Sequence, residues 1–141
     1  MLLDAFSRRV VGWPLDRQLT AALPRAALRP PVRVIAHLHR AQVLRRPIES
    51  TQYASTANQT VLQRRSLQPS MSRLGDCWDN AVVESFLHSL KVERLHERRY
   101  ETREQLQQDL EDYIERFYNR QRRHSTLGYV SPAMFELQHA A

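Results

Sequence analysis

At 141 residues, 42% apolar and 26% charged, the chain has room for one domain around one core. No apolar run approaches the ~20 residues of a bilayer span, MLLDAFSRR lacks the order of a secretory leader, and the single Cys77 excludes an internal disulfide, so the expected compartment is the cytoplasm. The net charge of +6 is uneven: residues 1–75 hold twelve arginines against Asp4, Asp16 and Glu49, a balance of +9, whereas residues 76–141 balance at −3.

Residues 1–13 read as a hairpin, with Leu2–Leu3 leading in, Asp4-Ala5-Phe6-Ser7 turning and Arg9–Trp13 leading out. Pro14 ends that strand because it cannot donate to a ladder. A short helix is expected over Thr20–Leu28, stopped by Pro30-Pro31, and a buried strand over Val32–Leu38. The Arg-rich stretch that follows, up to Gln52, carries no clear pattern. Ser55 or Thr56 is placed to cap a helix running to about Arg65. Asp79 is a good N-cap for a helix whose apolar stripe is Ala81, Val82, Val83, Phe86, Leu87 and Leu90. Thr102 and Gln105 form a capping-box pattern ahead of Leu106, Leu110, Tyr113, Ile114, Phe117 and Tyr118 at helical spacing. Ser131-Pro132 opens a final short helix.

Two clusters carry candidate chemistry. Glu84, His88 and Lys91 fall at i, i+4 and i+7 on one helix face; such a face suits a metal ligand beside a phosphate-seeking lysine, and equally suits a solvated polar stripe. Arg116, Arg120, Arg122, Arg123 and His124 lie in a run without an acid between Glu115 and Glu136. Guanidinium forks bind phosphate in bidentate fashion, and arginines at a helix end also offset its dipole. A basic half suits a polyanionic partner, although arginine in twenty of twenty-one basic positions also fits a coding bias. His37 and His39 stand without further partners, and Cys77 has no base spaced to activate it.

Longer motifs bring these clusters together. GDCWDNAVVESFLHSLKVE, Gly75 to Glu93, contains the pattern DNA-x-x-E-S-F-x-x-x-L-K-x-E, and YNRQRRHSTLGYVSP, Tyr118 to Pro132, contains Y-N-x-x-R-x-H-x-x-L-G-x-x-x-P. With Leu3–Trp13 and Gln52–Ser55 they resemble the C-terminal part of insertion-sequence transposases of the DDE, retroviral-integrase-like family. The resemblance implies an α/β fold, a ribonuclease H-like integrase catalytic core truncated at its start, with residues 1–115 as the partial core and 116–141 as a basic C-terminal segment with a short helix. It implies Mg²⁺ chemistry on DNA with Glu84 as the third catalytic acid and metal ligand, and DNA contact by Lys91, Arg120, Arg122, Arg123 and His124.

The other two acids are not where the resemblance would put them. The family's second aspartate maps to Ile48, with the expected thirty-five residues between it and Glu84, and its first lies upstream of Leu3. Asp4 matches a turn aspartate. Glu49 and Asp4 as substitutes would have to overcome strand alternation, which aims residue 49 away from where residue 48 aims. The expectation is a transposase-like DNA-binding protein of DNA transposition and integration, catalytically defective by itself. The alternative is a non-enzymatic fragment that binds DNA or forms oligomers, with itself or with full-length transposase, and so regulates the intact enzyme.

Overall fold

The structure is a computed structural model and describes residues 1–16, 22–27, 42–45, 56–64, 68–71 and 81–140. The opening residues form the expected hairpin, β1 (Leu2–Leu3) paired with β2 (Val10–Gly12). Its loop is organised by one carboxylate: Asp4 accepts the backbone N–H of Phe6 at 3.2 Å and of Ser7 at 3.3 Å. Such side-chain to backbone bonds make Asp a turn residue. The Asp4 N–H donates to the Arg9 carbonyl at 2.8 Å and closes the loop.

Helix α1 (Ala22–Ala27) lies inside the span expected for it, and α2 (Thr56–Arg64) matches its expected bounds to within a residue. Two strands escaped the sequence reading. β3 (Gln42–Arg45) and β4 (Gln68–Met71) pair in parallel, Gln42 opposite Gln68 and Arg45 opposite Met71. Parallel strands need a long crossover, usually helical, and α2 supplies it. Neither QVLR nor QPSM alternates clearly, and Pro69 within β4 argues against a strand on propensity. The strand expected at Val32–Leu38 lies outside the described residues, as do Asp79, Cys77, His37 and His39.

The C-terminal elements are α3 (Ala81–Leu90), α4 (Arg103–Glu111) and α5 (Pro132–His139). α3 and α4 each run on into a wider helical turn, Lys91–Leu95 and Asp112–Tyr118. The second ends with the Asn119 N–H on the Ile114 carbonyl at 2.9 Å. Thr102 caps α4 by accepting the Gln105 N–H at 3.2 Å. The return bond of the expected capping box is displaced by one residue: Gln105 Oε1 accepts the Glu101 N–H at 3.1 Å. Ser131 caps α5, with Pro132 in its first turn.

By its contacts the chain divides into two units, Met1–Leu2 with Val11–Ala81, and Leu3–Val10 with Val82–Ala141. In the first, α1 packs on α2 and α2 on β4, with Ala27 and Leu62 buried. The second is built round Phe86, Leu90, Leu110, Tyr113, Ile114, Tyr118 and Leu127. The Phe86 ring meets Tyr118 edge-on at 4.8 Å, and Tyr118 in turn meets His124 at 5.0 Å. Three residues of the expected apolar stripes are exposed, Ala81, Leu87 at 49% and Phe117 at 38%, and Val82, Val83 and Leu106 are only half-buried. The boundary expected after residue 115 falls within the turn Asp112–Tyr118.

Asn119 ties the second unit together. It is 1% exposed, its Oδ1 accepts the Val10 N–H and its Nδ2 donates to the Val10 carbonyl, each at 3.0 Å. Its own carbonyl accepts the Ala133 N–H at 2.9 Å, which seats the start of α5. Further along α5, Glu136 takes Arg9 as ion partner and the Ser7 hydroxyl lies 2.9 Å from Oε1. That hydroxyl is also 2.6 Å from Asp4 Oδ2, so two carboxylates compete for its one hydrogen, and Arg9 offsets the charge of Glu136.

Candidate nucleic-acid interface

Glu84 and His88 on α3, and Lys91 at the start of the turn that follows, are exposed, on the face opposite buried Phe86 and Leu90. The wide turn after Leu90 begins at Lys91 and carries Glu93. Glu93 is the functional-looking acid that the sequence reading passed over, although it closes the first motif. Tyr113 donates its hydroxyl to Oε2 at 2.7 Å, and Arg122 places Nη2 2.6 Å from Oε1 and Nε 3.0 Å from both oxygens. Arg122 Nη2 also donates to Ser89 Oγ at 3.1 Å. The Arg122 hydrogen bonds hold the Glu93 carboxyl below the usual carboxylate range against the opposing effect of burial. Burial first, then the bond to Glu93, pushes the Tyr113 hydroxyl well above the ordinary tyrosine range.

The two motif segments therefore meet at one ion pair. Its effect on the basic residues is unequal. Arg120 and Arg123 are exposed, while Arg122 is half-buried and fully engaged through Nε and Nη2. The Arg122 guanidinium also sits 5.8 Å from the centre of the Tyr118 ring. His124 is half-buried against that ring, and its Nε2 is buried without a hydrogen-bond partner among the described residues. Burial, then the charges of Arg122 and Arg8, lower the His124 imidazole to about 4, so the ring is neutral at pH 7. The backbone beyond it closes on itself: His124 N–H donates to the Val130 carbonyl at 3.1 Å, and the Tyr129 N–H returns to the His124 carbonyl at 2.9 Å. Gly128 turns this loop at φ +71°, where glycine carries no Cβ penalty, and the next residue, Tyr129, is also left-handed at φ +62° and 71% exposed.

A second network, one residue along from Glu93, joins the turn after α3 to α4. Asp109 accepts Arg94 Nε at 2.9 Å, Arg98 Nη1 at 2.7 Å and the Tyr100 hydroxyl at 2.6 Å. Arg94 also reaches Asp112 at 2.9 Å.

A divalent ion is the cofactor that integrase cores generally use, and Mg²⁺ demands near-octahedral oxygen ligation from several converging carboxylates. Among the described residues no three or more His, Cys, Asp or Glu side chains are gathered to hold one. Asp4, the candidate substitute from the hairpin, has both oxygens engaged in its own turn. Ile48 and Glu49 lie outside the described residues. The described donor set does not fit Mg²⁺, and no reaction step follows from it. Among the same residues no helix is long and apolar enough to cross a membrane.

Both motif segments lie within one family match. Residues 65–132 match the integrase core domain family. The chain is 41% identical, over its whole length, to the transposase InsF for insertion sequence IS3fB of Escherichia coli K12, and 40% identical to the InsF transposase for IS3A of the same strain. It is 36% identical, over 95% of its length, to the transposase for insertion sequence element IS904 of Lactococcus lactis. No solved structure matches it significantly. The chain spans about half the length of these curated relatives, 48% of either InsF protein and 52% of the IS904 protein. The chain is thus similar to an integrase core over residues 65–132 and, more narrowly, to insertion-sequence transposases over part of their length.

Proposed function

We propose that this chain acts in DNA transposition as a transposase-like, DNA-binding integrase-core segment in the cytoplasm, with a ribonuclease H-like arrangement of its core. Duplex DNA would run across the basic turn at Arg120 and Arg123 and reach Lys91 just after α3. Glu84, exposed on the same face as Lys91, is the acid that would hold Mg²⁺ where the remaining ligands are supplied. The observation that carries this reading is the Glu93–Arg122 pair, which fixes the polar face of α3 and the basic turn within one unit. Phosphate contacts release condensed counterions, so binding should weaken steeply with salt and depend little on sequence.

Asp4's engagement in its turn favours a second reading, a non-catalytic fragment that occupies DNA or associates with full-length transposase. Both are tested by titrating labelled duplex DNA at several salt concentrations, and by assaying nicking and strand transfer in Mg²⁺ and Mn²⁺ beside Glu84→Gln. Salt-sensitive binding is expected. Strand transfer lost in Glu84→Gln would establish the catalytic reading; binding without transfer in either protein would establish the second. Absence of binding at low salt would remove both.

A further inference from the structure

The hairpin brings a further arginine, Arg8, to the basic turn. Arg8 and Arg9 are neighbours with different environments. Arg9 is paired with Glu136 on α5, whereas among the described residues no ion pair joins Arg8 to a carboxylate. Arg8 is half-buried, and its backbone is left-handed at φ +63°, a conformation that costs a residue with a Cβ about 1–2 kcal/mol. Two residues on, Val10 is fixed to Asn119 by both of its backbone groups. Asn119 follows Tyr118 directly, so the clamp brings Arg8 to the ring pair Tyr118–His124. The charges of Arg8 and Arg122 both act on each of those rings. Glu93 is the acid that reaches the group, and it is already matched by Arg122.

We propose that Arg8 and Arg122 form a phosphate-binding pair around the Tyr118–His124 ring stack, with a backbone phosphodiester of duplex DNA as its ligand. The proposal rests on the DNA-binding reading above and extends it to a residue 112 positions upstream of Arg120. One cation comes from the hairpin and one from the turn after α4, so the site exists only when the Asn119 clamp is closed. Arg122 keeps its place because Glu93 and Ser89 hold Nε and Nη2. Glu93 offsets Arg122, so the charge of Arg8 is left in excess there and an anion would offset it.

The test is fluorescence anisotropy of a labelled duplex against the whole chain, with Arg8→Gly, Arg8→Lys and, as a control at the exposed α3–α4 connection, Arg99→Ala. Glycine suits φ +63°, so Arg8→Gly should fold like the parent, which circular dichroism and melting check. It is expected to lose roughly threefold to fivefold in affinity on unrelated sequences alike, and to flatten the slope of log affinity against log salt by about 0.9. Arg8→Lys should recover most of both, and Arg99→Ala should change neither. A folded Arg8→Gly with the parent's affinity and slope, while the parent binds DNA, overturns the site and leaves the DNA reading standing. A parent that does not bind removes the DNA reading, and the site with it.

Discussion

Glu93 and Asp109 collect the same kinds of partner, arginine and a tyrosine hydroxyl, in neighbouring networks beside the turn that follows α3. Asp109 is the more sheltered, its side chain 12% exposed against 33% for Glu93. Its partners, Arg94, Arg98 and Tyr100, all come from the stretch that connects the two helices. Glu93 draws on Arg122, twenty-nine residues away and beyond α4. Shelter sets what a bond contributes to stability; separation along the chain sets what else moves when it breaks. By that measure Asp109 secures a connection, while Glu93 secures the geometry of the basic turn.

The largest effect should come from the Asn119 joint between the hairpin and the rest of its unit. Asn119→Ala removes two buried bonds to Val10 and opens a small void, and should cost about 3 kcal/mol in urea unfolding. A cost near that of an ordinary surface substitution would mean that the hairpin is held by other contacts. Next, Asp109→Asn turns an amide toward two guanidiniums and a hydroxyl, for a loss of about 2 kcal/mol. Its affinity for DNA should match the parent's. Glu93→Gln should destabilise less, about 1 kcal/mol, yet raise DNA affinity roughly twofold by removing the one charge that offsets Arg122. Equal effects of the two variants on DNA binding would erase the distinction drawn between them.

The smallest expected effect is a pH dependence. The folded protein holds His124 at about 4, below its ordinary 6.5, because the ring is buried and faces Arg8 and Arg122, with Glu93 opposing weakly. Between those two values the unfolded chain binds the extra proton, so stability should fall as pH drops from 6.5 toward 4 and stay level with respect to this group above 6.5. His124→Phe keeps a ring against Tyr118 and should remove that part of the slope in thermal melts. An unchanged slope would assign the acid sensitivity to carboxylates.

What was legible in the sequence was mostly local. The Thr102 and Ser131 caps and the Asp4 turn involve partners within four residues, and such patterns survive in any fold that keeps the helix or turn. The exposed face of Glu84, His88 and Lys91 followed from helical spacing alone. Arg122 was harder to read, because the stretch around it lacks acids and its carboxylate partner lies on another helix. Asn119 looked like one more polar residue among arginines, since its partner, Val10, is 109 residues away. β3 and β4 were hidden because their pairing, rather than an alternating pattern, makes them strands. The family motifs did register these distant relationships, but as recurring letters without a contact to explain them.

The Asn119 amide has one more consequence. A strand at the border of a sheet offers its free N–H and C=O groups to any other chain that can lie alongside, which is a common start to aggregation. At Val10 both groups are already taken by a side chain that ends after one residue and offers no ladder of its own. A foreign strand meeting β2 there would have to displace a buried amide before making its first bond. In a chain rich in exposed arginine and apolar side chains, that single asparagine is a guard against self-association as well as a fastener.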